Sequence, residues 1–130
     1  MINVFIPGIP VPQGSKKAFV VGKRAVLVEA NKDKLKPWRK MIMYALEHFD
    51  PFEGAVQVTA VFVFPRPKSV KRKHMSVKPD LDKLQRALGD GMTDSGIIAD
   101  DSRIVEWRTS KKYALAGQEP GVELTIQEAS

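Results

Sequence analysis

Residues 78–88 of the chain read KPDLDKLQRAL, and residues 97–104 read IIADDSRI. In the first stretch Leu81, Leu84 and Leu88 recur at helical steps, which predicts an amphipathic helix whose apolar side packs on a sheet. Aspartates gather in and between the two stretches, at positions 80, 82, 90, 94, 100 and 101. Because like charges repel, such a cluster is typical of a site where a hard metal ion with oxygen ligands offsets the repulsion.

Apolar and alternating runs elsewhere in the chain predict strands. These runs are residues 3–6, 18–21, 25–28, 56–64, 104–113 and a closing strand through Val122, Leu124 and Ile126. Residues 22–24 connect the second and third runs at hairpin length. In the strand over 104–113 we place Trp107 on the inner face together with Val105 and Thr109.

Two helices complete the predicted elements. The first covers residues 34–49, and the second begins at Leu81 and is expected to end near Gly89 and Gly91, since glycine is common just after a helix. A turn at residues 94–96 and an apolar run then lead into Asp100 and Asp101. For 130 residues with no low-complexity tract, this pattern predicts one domain of the α+β class, with a small mixed sheet and two main helices.

Composition narrows the partners and the chemistry. The formal net charge of +6 favours association with nucleic acid. The chain has no cysteine, which excludes disulfides, thiolate metal sites and cysteine nucleophiles. No apolar stretch approaches the roughly 20 residues needed to span a bilayer, and the amino terminus does not resemble a secretion signal. We therefore expect a cytoplasmic protein with no membrane partner.

Cations concentrate immediately before the acids. No acidic residue occurs between Glu53 and Asp80, whereas the loop over residues 65–79 is rich in lysine and arginine. A basic segment of this kind holds phosphate backbones through sequence-independent contacts. We predict DNA contacts from this loop and from the turn over residues 10–17, through Lys16, Lys17, Arg66, Lys68, Lys71, Arg72, Lys73 and Lys78.

The acids also admit structural interpretations. Asp80 or Asp82 would cap the helix start, where unpaired backbone donors favour an acid. Asp82 and Arg86 have the spacing of a helical ion pair, and Asp100 with Asp101 is equally typical of a solvated turn. Capping, however, accounts for only one of the two acids at the helix start.

Magnesium offers the alternative explanation. It binds through a few carboxylates, several waters and substrate phosphate oxygens, and the ligand candidates are Asp80, Asp82, Asp100 and Asp101. Mn2+ is a possible substitute. Such a site can cleave phosphodiesters by polarising a phosphoryl oxygen and activating water. Arg86 would then add positive charge near the reacting phosphate or orient Asp82, and both roles stay open.

Taken together, residues 78–88, Asp90 and residues 97–104 resemble the RusA family of Holliday-junction resolvases. The resemblance implies a small homodimeric α+β endonuclease, often carried by phages and prophages, that uses magnesium to nick opposed strands of a four-way DNA junction. The family's catalytic acids fall on Asp80, Asp82 and Asp101, with Asp100 beside the last.

Two positions depart from the family pattern. Family members commonly have lysine where this chain has Arg86 and asparagine where it has Lys83. Arginine keeps the positive charge but stays permanently protonated. We therefore expect electrostatic help from Arg86 and no proton transfer.

Two other functions remain open at this level. One is a nuclease for flaps, forks or other branched DNA, and the other is a non-catalytic DNA-binding dimer in which the acids serve as caps and ion pairs. Paired cuts related by near two-fold symmetry require two sites, which a symmetric dimer supplies. The candidate interfaces are residues 56–64 and the amino-terminal hairpin.

Overall fold

The computed structural model describes residues 1–14, 16–29 and 31–130, without the side chains of Lys16, Lys17, Phe19, Leu27 and Glu29. The elements in chain order are β1 (Ile2–Pro7), β2 (Lys16–Val21), β3 (Arg24–Glu29), α1 (Lys32–Leu46), β4 (Val56–Phe64), α2 (Leu81–Ser95), β5 (Ile104–Tyr113) and β6 (Gly121–Glu128). A short 3-10 turn, Asp101–Arg103, precedes β5. The α+β class and the strands of the sequence analysis are confirmed.

The main sheet has four strands in the order β1-β6-β4-β5, and β2 with β3 forms a separate hairpin. Neighbours in the main sheet are antiparallel except β4 and β5, which are parallel. Parallel neighbours need a crossover connection, and α2 lies within that connection. The topology therefore places the start of α2 after the end of β4, and the residues following α2 at the start of β5.

Alternation along β4 decides which face of the sheet is covered. Val56, Val58, Ala60 and Phe62 are fully buried, whereas the residues between them are mostly half-exposed. The β6 neighbours of Val58, Ala60 and Phe62 are also buried. The buried side chains of the two helices belong to the same apolar cluster. This alternation is expected for a sheet that has one face packed on the core and the other face exposed to solvent.

The first helix is shifted relative to its predicted bounds. It covers Lys32–Leu46, so Phe49 lies beyond its end and is 38% exposed. Asp50 precedes Pro51, and a residue before proline is disfavoured in the helical conformation. This restriction accounts for a helix end before Asp50.

The predicted end of α2 is wrong. The helix passes through Gly89 and Gly91 and ends at Ser95, followed by Gly96 in the left-handed conformation with φ of 82°. Gly91 is buried where α2 meets α1, and a Cβ atom at that position would lie 2.7 Å from Ile42 Cγ2. The glycine is therefore required by the close approach of the two helices and does not terminate the helix.

Matched alanine substitutions test this reading of the two glycines. Gly91→Ala should lower the free energy of unfolding by about 1–2 kcal/mol, because overpacking outweighs the gain in helix propensity. Gly89→Ala should raise it by up to about 1 kcal/mol, since the new Cβ would make an ordinary contact with the Asp101 Cβ at 3.5 Å. Urea denaturation of both variants measures the difference. Equal effects would contradict the packing argument.

A register shift in β5 changes the predicted face of Val105. Val56 pairs with Ile104, but the next pair is Gln57 with Glu106, so Val105 is the extra residue of a β-bulge. Bulges re-aim side chains, and Val105 is 62% exposed. Trp107 is partly buried against the core as predicted.

The two candidate dimer interfaces differ in exposure. One face of β4 is buried in the chain's own core, and Gln57, Thr59 and Val61 on its other face are partly exposed. The hairpin, by contrast, exposes Val20 and Val21. Neither helix of the described ranges has the length and apolar character that a membrane crossing requires.

Candidate active site and DNA-binding surface

The start of α2 presents two acids to solvent. Asp80 occupies the N-cap position with extended backbone angles, but its side chain makes no capping hydrogen bond. Its carboxylate lies 3.7 Å from the Lys83 ammonium and its side chain is 56% exposed. Asp82 follows in the first turn, and within the described part of the chain it forms no ion pair with Arg86. The Asp80 side chain therefore does not cap the helix, and Asp82 does not pair with Arg86, although the sequence spacing allowed both interactions.

The second pair of acids divides into two roles. Asp100 caps the 3-10 turn, and its Oδ2 accepts a hydrogen bond of 2.9 Å from the Ser102 backbone N–H. Hydrogen bonding from Ser102 lowers the pKa of Asp100 below its ordinary value, which keeps this exposed carboxylate ionised. Asp101 is also exposed, and its side chain has no hydrogen bond or ion pair to any described residue. Both carboxylate oxygens of Asp101 are thus without a described partner, whereas Asp100 keeps one such oxygen.

Asp101 packs beside the middle of α2. A Cβ atom at Gly89 would lie 3.5 Å from the Asp101 Cβ. Gly89 follows Asp82 by seven residues, so it shares the same helix face and lies about 10 Å further along the axis. The fold thus brings the returning acid to the helix that carries the first two, roughly two turns from its start.

The donor chemistry of these acids fits magnesium, although no ready-made cage is present. Among the side chains that the structure describes, no group of three or more acids or histidines could hold a metal ion. Magnesium usually takes one or two carboxylates and completes its shell with water and substrate phosphate. Asp80 and Asp82 are exposed oxygen donors of that type. The fit is therefore to an open site that a phosphate would complete.

Lys111 on β5 holds the segment that leads into α2. Its ammonium donates hydrogen bonds of 2.6 Å to the Val77 carbonyl and 2.7 Å to the Pro79 carbonyl. Both carbonyls lie within three residues of Asp80. The same strand contacts α2 again further along, where the Thr109 hydroxyl donates to Gln85 Oε1 at 2.5 Å. Lys111 therefore fixes the backbone immediately before the first acid.

The turn after β1 lies across α2 beside these acids. Gln13 donates from its backbone N–H to the Lys83 carbonyl at 3.0 Å and from its side chain to Asp90 Oδ2 at 2.5 Å. Gly14 has φ of 104°, and a side chain there would collide with the Arg86 guanidinium. The turn therefore lies directly against the Arg86 guanidinium, while the residue as a whole stays exposed. The side chains of Lys16 and Lys17, predicted to bind DNA, lie outside the described residues.

Two arginines of the basic loop support its conformation. Arg66 donates to the carbonyls of Val70, Arg72 and Lys73 at 2.7–3.4 Å and lies 4.5 Å from the centre of the Tyr113 ring. Arg72 donates to the Tyr113 hydroxyl at 2.8 Å. A guanidinium group can make both kinds of contact, because it combines several N–H donors with a planar face that stacks on aromatic rings. Both arginines therefore have structural partners that the sequence did not reveal.

The loop lysines are placed differently. Lys68, Lys71, Lys73 and Lys78 are exposed, and their ammonium groups have no hydrogen bond or ion pair within the described ranges. Each is free to contact phosphate. The predicted DNA-binding set thus divides into arginines that shape the loop and lysines that extend from it.

Replacing Lys68, Lys71 and Lys73 together with alanine should weaken DNA binding and flatten its salt dependence. Each lost phosphate contact lowers the slope of log affinity against log salt by roughly 0.9, while thermal stability should stay unchanged. Fluorescence anisotropy over a salt series measures the slope. Arg66→Ala is the comparison, because it should reduce stability through lost loop contacts. An unchanged slope in the lysine variant would contradict the assignment.

Two other aspartates of the cluster are structural. Asp94 accepts from Arg39 at 2.8 and 3.1 Å, which joins α2 to α1. Asp90 binds Gln13 and lies 4.0 Å from the Arg39 guanidinium. These pairings separate the acids that hold the fold together from the acids that stay available.

Sequence patterns do not reveal that Gln13 contacts α2 or that Lys111 holds the residues before Asp80. Gln13 adjoins a glycine that signalled a turn, but nothing in the sequence showed that the turn lies on α2. Lys111 was one of several cations in an alternating strand. Its role depends on the parallel pairing of β4 and β5, which brings it to the start of α2.

Comparison with known proteins assigns the class. A family model described as endodeoxyribonuclease RusA matches residues 7–127, a range that contains both helices, β4, β5, nearly all of β6 and every site residue discussed above. The chain is therefore an endodeoxyribonuclease by class. It belongs to the RusA family, whose members act on Holliday junctions. No curated protein matches the chain.

Proposed function

We propose that this chain is a magnesium-dependent endonuclease that resolves four-way DNA junctions by paired symmetric nicks, acting as a homodimer. The observation that carries the proposal is the open start of α2. Asp80 and Asp82 are exposed there without capping or pairing with Arg86, and the basic loop precedes them. Exposed carboxylate oxygens next to a basic loop are the groups that a metal ion and a phosphate backbone would bind, and this combination supports the proposal.

Asp80, Asp82 and Asp101 are the residues proposed to hold magnesium, with Mn2+ able to replace it. When bound, the ion would polarise a phosphoryl oxygen and lower the pKa of a bound water. Asp100 supports this set by capping the turn in which Asp101 lies. Lys83, 3.7 Å from Asp80, partly offsets the negative charge of that carboxylate.

Arg86 supplies permanent positive charge one helical turn after Asp82. Charge fixed before the reaction stabilises the negative charge that develops on the phosphate. Because the guanidinium does not lose its proton, Arg86 acts electrostatically and does not transfer protons. The close packing of Gly14 against it limits where the side chain can move.

The preferred DNA substrate and the oligomeric state of the protein are tested in one set of experiments. The experiment gives the wild-type protein a mobile four-way junction, a flap and a linear duplex, each with separately labelled strands. The proposal predicts symmetric nicks in opposed junction strands and a dimer by sedimentation velocity. Preferential cutting of flaps or forks would instead assign other branched DNA as the substrate. Junction binding without cutting would assign an architectural role.

A further inference from the structure

A cavity of about 850 Å³ opens between the amino-terminal loop, the first half of α1 and the segment leading into α2. Its wall is largely apolar and includes Pro10, Pro12 and the buried ring of Trp38. Ile9 and Met41 line it as well and are 58% and 41% exposed. Pockets of this size and character are typical of sites for small organic groups.

The cavity continues into the candidate active site. Asp80 and Lys83 contribute to its lining, and Lys34 and Lys78 add two further cations. A phosphate bound at the start of α2 would therefore lie at the edge of the cavity. Any group attached to that nucleotide on the cavity side would enter an apolar space.

We propose that this cavity binds an unpaired nucleobase of the DNA, from a nucleotide next to the cleaved phosphate. The inference rests on the proposed function and specifies how the same site recognises branched DNA. Bases at a branch point are less costly to unpair than bases within a duplex. The cavity would favour a branch because a base must leave the stack to enter it.

The chemistry of the cavity suits a nucleobase. Bases are flat groups that stack on aromatic and apolar side chains, and the proline and tryptophan surfaces provide such walls.

The charge around the cavity favours DNA as its occupant. Lys34, Lys78 and Lys83 outnumber Asp33 and Asp80 in its lining. A nucleotide brings the negative charge that these cations complement.

A double-mutant cycle tests the proposal, because non-additivity detects contact between two groups. One partner is the base, which is removed by placing an abasic nucleotide on either side of the cleaved phosphate. The other partner is the cavity, altered by Ile9→Ser combined with Met41→Ser. Tyr44→Ser combined with Leu115→Ser is the matched control, since both side chains are exposed and neither lines the cavity. The readouts are kcat/KM for cleavage and junction affinity in chelator.

For the wild type and the control, the abasic nucleotide should lower kcat/KM and affinity roughly tenfold. For the cavity variant the same change should have less than about one third of that effect. An equal loss in all three proteins would overturn the proposal, as would conversion of a dimer to a monomer by the cavity substitutions. If the wild type does not cut junctions at all, the proposed function fails. The affinity cycle then decides the base-binding inference separately.

Discussion

Replacing Asp101 with asparagine should lower the rate of junction cleavage by roughly a thousandfold, because loss of a metal-binding carboxylate removes several kcal/mol of transition-state stabilisation. The substitution keeps the shape of the side chain. No hydrogen bond or ion pair of the described structure depends on the Asp101 carboxylate, so the fold and the affinity for DNA should be retained. Single-turnover cleavage and anisotropy measure the two quantities.

Asp94→Asn is the matched control for Asp101→Asn. It also replaces an exposed aspartate, in the last turn of α2, but the carboxylate of Asp94 pairs with Arg39. The expected change is therefore a small loss of stability with cleavage nearly unchanged. If Asp101→Asn cleaved at the wild-type rate, Asp101 would not belong to the site. If both variants lost activity equally, a general effect of removing negative charge near α2 would explain the result.

Lys111→Met should reduce kcat by about a hundredfold with little change in KM. The ammonium holds the carbonyls of Val77 and Pro79, and misplacement of a reacting group by about 1 Å is enough for a loss of this size. Methionine keeps the length of the side chain and removes its donors. Steady-state kinetics on the junction separates kcat from KM, and it distinguishes a positioning role from a contact to DNA.

Lys112→Met provides the comparison for Lys111→Met. Lys112 is its neighbour on the same strand, and its ammonium has no hydrogen bond or ion pair to a described residue. If Lys111 acted mainly by binding phosphate, its loss would raise KM and reduce the salt dependence of binding. That pattern, or equal effects of the two substitutions, would contradict the positioning role.

Local pattern was sufficient for most of the fold. Apolar alternation identified β4 and β6, and the Leu81, Leu84 and Leu88 repeat placed the start of α2 correctly. These features depend on neighbours in sequence, which explains why they could be predicted. The family model over residues 7–127 confirms the resemblance that rested on the acids and their surroundings.

The errors involve contacts between distant parts of the chain. A glycine such as Gly91 is typical of a helix end, but here it is required because α2 packs closely against Ile42 of α1. Val105 fits an alternating strand, but pairing with β4 creates a bulge. Contacts between distant residues determine both the helix glycine and the bulge, and local sequence patterns do not predict such contacts.

The candidate site, too, was only partly predictable from sequence. Sequence identified Asp80, Asp82, Asp100 and Asp101 as a group, whereas the structure distinguishes the capping role of Asp100 from the available Asp101. The similarity of neighbouring acids in sequence hides this difference. It depends on backbone conformation at the 3-10 turn.

The most direct test compares wild type with Asp80→Asn on a mobile four-way junction, in Mg2+ and in chelator, with binding measured in parallel. We expect paired cleavage only by the wild type and only with the metal, and junction binding by both proteins. Cleavage by Asp80→Asn at the wild-type rate, or wild-type binding that never leads to cutting with Mg2+ or Mn2+, would contradict a metal-dependent nuclease centred on the start of α2.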